Sequence, residues 1–107
     1  MSRAGVVAEL PIPIDQAKVA EFCRARGICR LSFFGSVLRD DFDPTRSDVD
    51  VLVELEPTAR PGWKFFGWHE DLAFILGRKV DLHTPASLSK YFRDEVLREA
   101  RAVYEQA

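Results

Sequence analysis

Three short stretches of the chain carry residue types that could act together: Gly35-Ser36, Ser47-Asp48-Val49-Asp50, and Val80-Asp81-Leu82. The first follows an apolar run and opens a stretch compatible with a helix start. A phosphate could approach the glycine backbone there, meet the Ser36 hydroxyl and face free N–H groups. The second sets two carboxylates two residues apart on a predicted strand. Alternation puts both on one face, roughly 6.6–6.8 Å apart along the backbone, close enough to converge on one cation. Carboxylates combined with water and phosphate oxygens suit Mg²⁺. The third stretch places an acid between two apolar residues on a later strand, where it can complete a triad with Asp48 and Asp50. The spacing points to metal-dependent chemistry on a nucleotide.

Each feature alone has a plainer reading. A Gly-Ser turn before a helix is usually only a turn, and two aspartates can be the wet side of an exposed strand. Aspartate is depleted in strands, however, and these two follow directly on the glycine turn. A calcium loop starting at Asp41 fails, because its sixth position is Arg46 rather than glycine and its twelfth is Leu52 rather than glutamate. Arg39 could neutralise phosphate or pair with Asp40, Asp41 and Asp43. Ser47 is read as fixing the loop. His83 falls on the same side as Asp81, and as a lone histidine at a strand end it is read as a surface residue.

Regular elements must position these groups. Asp15 can cap a first helix that Gly27 stops, with Ile14 and Val19 as a hydrophobic staple and Val19, Phe22 and Cys23 on one face. Residues 30–34 form a strand, 36–39 a short helix and 40–46 a loop. Over 47–56, Val49, Val51, Val53 and Leu55 point one way, and Asp48, Asp50, Leu52 and Glu54 the other. After a loop at 57–62, a helix spans 63–76 with Phe65, Trp68, Leu72, Ile75 and Leu76 at helical spacing. A third strand covers 79–83. Ser87 caps a last helix whose buried stripe is Leu88, Phe92, Val96 and Ala100, and 102–104 either end that helix or form an edge strand. The order predicts an α/β fold, a small mixed sheet flanked by helices. Residues 1–14 read as an N-terminal extension and 15–107 as the domain.

At 107 residues, 47% hydrophobic and 30% charged, the chain should bury a core. A formal charge of −2 gives no basic footprint, so direct nucleic-acid binding is not expected. Cys23 and Cys29 lack a metal-binding spacing and read as reduced thiols. No run is apolar enough for a membrane span and the N-terminus has no signal pattern, so a cytoplasmic protein is expected.

Gly35-Ser36, Arg39, Ser47-Asp48-Val49-Asp50-Val51-Leu52-Val53 and Asp81 together resemble the nucleotidyltransferase superfamily that includes DNA polymerase beta and kanamycin nucleotidyltransferase. Length and spacing resemble its minimal branch, antitoxins paired with HEPN-domain toxins, over residues 15–105. One departure is Asp40, where family members often have glycine after the arginine. The resemblance implies a polymerase beta-like fold and transfer of AMP from ATP to a hydroxyl, with release of pyrophosphate. It implies that Asp48 and Asp50 hold Mg²⁺, and that Asp81 ligates a second metal and helps take the hydroxyl proton. Gly35, Ser36, Arg39 and Ser47 would bind the nucleotide. A polymerase is expected to need a second domain, and a small-molecule acceptor a further pocket. A protein acceptor fits better: a tyrosine of a cognate HEPN toxin, whose RNase activity the modification silences, in a hetero-oligomer with the antitoxin. The alternative is a catalytically silent antitoxin that acts by binding alone. Trp63, Phe66 and Tyr91 fall off the buried stripes and suit either an interface or ordinary packing.

Overall fold

A computed structural model describes residues 14–35 and 48–106. The predicted extension lies outside the described residues except for Ile14, as do the predicted short helix at 36–39 and the loop at 40–46. Helix α1 (Gln16–Arg26) starts where predicted: the Asp15 side chain accepts a hydrogen bond from the Lys18 N–H at 3.1 Å. It ends at Gly27, whose left-handed φ of 71° closes the helix on the Cys23 carbonyl. Ile14 packs against the same core as Val19, as the staple requires.

Four strands follow in a mixed sheet ordered β3-β2-β1-β4. Strand β1 (Ile28–Phe34) pairs antiparallel with β2 (Val49–Leu55), and β2 pairs parallel with β3 (Val80–His83). Strand β1 begins two residues before the predicted start, because Ile28 already pairs with Leu55. Residues 102–104, open between helix and strand in the sequence, lie in β4 (Arg101–Glu105), antiparallel to β1 at the sheet edge.

One face of the sheet carries the main core. Val49, Val51 and Val53 of β2 are fully buried there with Leu31 and Phe33 of β1, beneath Val19, Phe22 and Cys23 of α1 and Trp68, Leu72 and Leu76 of α2 (Trp68–Leu76). Alternation turns Asp50, Leu52 and Glu54 to the opposite face. Leu52 is nonetheless fully buried, because Phe34 and Leu88 close over it with help from Val96 and Ala100. Burial on both faces fits β2 as an inner strand of the sheet, and Asp50 rides on it.

Two helical expectations change. The stretch 63–76 divides into a 3-10 helix, Gly62–Gly67, and α2. Gly67, a poor helix former, stands at the junction, and Glu70 and Asp71 follow in the first turn of α2, where carboxylates suit the helix dipole. Ser87 does not cap the last helix. It closes a capping box with Thr84 around the 3-10 turn Pro85–Ser87, and α3 runs only over Arg93–Glu99. Of the predicted stripe, Leu88 is buried, but Phe92 precedes α3 and is exposed.

Candidate active site

The site is assembled by strand register. The parallel pairing of β2 and β3 sets Asp50 beside Asp81 and Leu52 beside His83. A hydrogen bond from the Val49 N–H to the Lys79 carbonyl, 2.9 Å, pins the start of this pairing. On the other side of β2, Phe34 is the antiparallel partner of Asp50. Asp50 therefore has the end of β1 on one flank and Asp81 on the other.

Gly35 follows Phe34 with φ of +74°, a left-handed conformation that L side chains rarely adopt. Its missing side chain also makes room: a Cβ there would collide with a carboxylate oxygen of Asp50. The glycine is thus required twice, once for the turn and once for the close passage of backbone past an acid.

The structure brings Asp50, Asp81 and His83 together. One ligand-capable atom of each lies within 4.8 Å of the others, and the His83 Nε2 is 3.2 Å from the Asp81 Oδ2. The Phe34 ring and the imidazole meet in a T-shaped arrangement, with centroids 5.4 Å apart. His83 is therefore not the bland surface residue the sequence suggested. The signal was present, since strand alternation puts residues 81 and 83 on one face; what sequence could not supply was the neighbouring strand. Asp48 is exposed, immediately before β2, and is not part of this group. Ser36, Arg39 and Ser47 lie outside the described residues.

Two adjacent carboxylates repel one another, and a shared cation removes that cost. Two oxygen donors and one imidazole nitrogen are a donor set suited to a divalent ion. A cleft of about 260 Å³ lined by Phe65, Phe66, His69, Val80, Asp81 and Leu82 opens at the edge strand of the sheet, on the α2 side and so across β3 from the Asp50, Asp81 and His83 group. The three features of the acid site thus follow the strand order: the glycine turn at the end of β1, the acid on β2, and the second acid on β3.

A model of the nucleotidyltransferase domain family matches residues 17–103, and the chain belongs to that family. A candidate protein adenylyltransferase of Methanocaldococcus jannaschii is 31% identical over 83 residues, covering 78% of this chain and 87% of the relative. The solved structure of a candidate minimal nucleotidyltransferase superposes with a TM-score of 0.60 at 31% identity, covering 79% of this chain and 85% of that one. A complex of a tri-AMPylated Shewanella oneidensis HEPN toxin with its MNT antitoxin shares the fold, with a TM-score of 0.58 at 19% identity and coverage of 85% and 70%. The mixed four-stranded sheet and three α-helices found among the described residues match the nucleotidyltransferase fold, and the protein is a nucleotidyltransferase. Among the described residues, no helix is long and apolar enough to cross a membrane.

Proposed function

We propose that this protein moves AMP from ATP to a hydroxyl of a partner protein, a tyrosine of a cognate HEPN-domain toxin. The observation that carries this reading is the side-by-side placement of Asp50 and Asp81, with Gly35 giving way to the Asp50 carboxylate. The relative from Methanocaldococcus jannaschii, of similar length, supports protein adenylylation as the activity.

In this reading Gly35 and Ser36 hold the triphosphate, with Arg39 and Ser47 on the nucleotide side. Asp50 and Asp81 would hold a divalent cation, Mg²⁺ being the ion that suits carboxylates and phosphate oxygens. Asp48 would join them once the nucleotide is bound. A cation bound there supplies positive charge against the charge that develops on the phosphate oxygens. The acceptor enters from the open β3 edge, on the face that carries Asp81. The Asp81 carboxylate takes the proton as the acceptor oxygen bonds to the α-phosphorus. The bond from that phosphorus to the α–β bridging oxygen breaks, and pyrophosphate leaves.

Incubation with ATP labelled at the α-phosphate, a divalent cation and the HEPN partner tests this directly. The label is expected on the partner. Label that stays in nucleotide under conditions where the two proteins bind would rule the reading out.

A further inference from the structure

We propose that His83 is a nitrogen donor to the cation held by Asp50 and Asp81, and that it makes the site select Mn²⁺ over Mg²⁺. This rests on the reading of the two acids as a metal site and refines which ion that site takes.

Three relationships support it. Asp81 and His83 are two residues apart on β3, so both side chains leave the same face of the sheet. Parallel pairing then brings Asp50 against Asp81, and the three groups offer ligand atoms within 4.8 Å of one another. An octahedral ion about 2.1 Å from each ligand sets cis ligands roughly 3.0 Å apart and only a trans pair roughly 4.2 Å apart. The ligand atoms must therefore draw in by up to roughly 1–2 Å, a shift that side-chain rotation can supply. Finally, the imidazole does not hang in solvent. It is only 27% exposed, and the Phe34 ring meets it in a T-shaped arrangement.

The donor type decides the preference. Mg²⁺ favours oxygen ligands and retained waters and gains little from an imidazole. First-row transition ions accept imidazole nitrogen readily, and Mn²⁺ also accepts carboxylate and phosphate oxygen. Adding one nitrogen to a carboxylate pair therefore raises affinity for Mn²⁺ without a matching gain for Mg²⁺. The competing role for His83 is to hydrogen-bond Asp81 and orient it, which would leave the imidazole off the metal.

The test uses the whole chain without nucleotide. Mn²⁺ binding is followed by the loss of its free-ion EPR signal, Mg²⁺ is added as competitor, and pulsed EPR of the bound ion reads nitrogen coupling. Expected are a directly coordinated ¹⁴N in the wild type and none in His83→Val. In that variant, the Mg²⁺ needed to displace Mn²⁺ should fall by roughly tenfold or more. Bound Mn²⁺ without nitrogen coupling in the wild type overturns the proposal while leaving the acids as the metal site. Mn²⁺ that binds equally to wild type and Asp50→Asn overturns the metal-site reading itself.

Discussion

A methyl group on Gly35 would stand where a carboxylate oxygen of Asp50 stands. The end of β1 and the acid on β2 are therefore a single unit: the turn proposed to hold phosphate is shaped around the carboxylate proposed to hold metal. Gly35→Ala carries two penalties. Forcing a side chain into the left-handed region costs roughly 1–2 kcal/mol, and Asp50 must move. An unfolding free energy lowered by about that amount, read by denaturant titration, together with weakened binding of an ATP analogue, is expected. Unchanged nucleotide affinity would show that the close approach is incidental.

Asp48 and Asp50 should behave differently although they share a motif. Asp50 belongs to the compact group with Asp81 and His83, whereas Asp48 is exposed outside it. Asp48→Asn is expected to leave cation binding intact in the nucleotide-free protein and to weaken it when an ATP analogue is present. Asp50→Asn should weaken both, and calorimetric titration in the two states separates the cases.

Much of this was legible locally. Asp15 and Gly27 bracket α1 through their own capping chemistry, and alternation over β2 separated Val49, Val51 and Val53 from Asp50 before any neighbour was known. The setting of His83 is not readable locally, because it meets Asp50 only through the parallel pairing of β2 and β3, strands far apart in sequence. Strand β4 was undecided for a similar reason: its partners are in β1, distant along the chain. The Thr84–Ser87 box is a readable signal, a threonine followed by Pro85 and answered three residues later, whereas Ser87 taken alone reads as the cap of the last helix.

Leu52 lies two residues past Asp50 and is sealed by Phe34 and Leu88, so the second, smaller core supports the site from below. Leu52→Ala should cost about 2–5 kcal/mol by leaving a cavity. Thermal unfolding measures the loss. A change below about 0.5 kcal/mol, the scale of an ordinary surface substitution, would mean that this face is not packed as described.

Burial of Cys23 under α1 pushes its thiol up from the ordinary value of 9.0 to about 12, against the opposing pull of Arg26 and Arg24. Unfolded, the thiol ionises near its ordinary value, so over this window the folded state keeps a proton that the unfolded state has lost. The resulting stability is complete below pH 9 and disappears as pH rises through about 12. Cys23→Ala should therefore lose less stability than the wild type across that range, as read by denaturant titration at several pH values. Parallel curves for the two proteins would contradict the burial effect.

Trp63 and Phe66 are 79% and 76% exposed, so ordinary packing within this chain does not account for them. Replacing both with serine should change stability by no more than about 0.5 kcal/mol, as for other surface positions. If they anchor the partner, its dissociation constant should rise by roughly 30-fold, corresponding to about 2 kcal/mol for a hot spot. Surface-immobilised binding of the HEPN partner reads this out, and an unchanged constant would remove these aromatics from the interface.

If Asp50 and Asp81 carry out transfer onto a protein, intact-mass measurement of the HEPN partner after incubation with ATP and a divalent cation, paired with an assay of its RNase activity, reads both the modification and its effect. Wild type should add AMP and silence the partner, while Asp50→Asn leaves it unmodified and active. If both proteins leave the partner unmodified yet silence it equally, neutralisation proceeds by binding alone and the account fails.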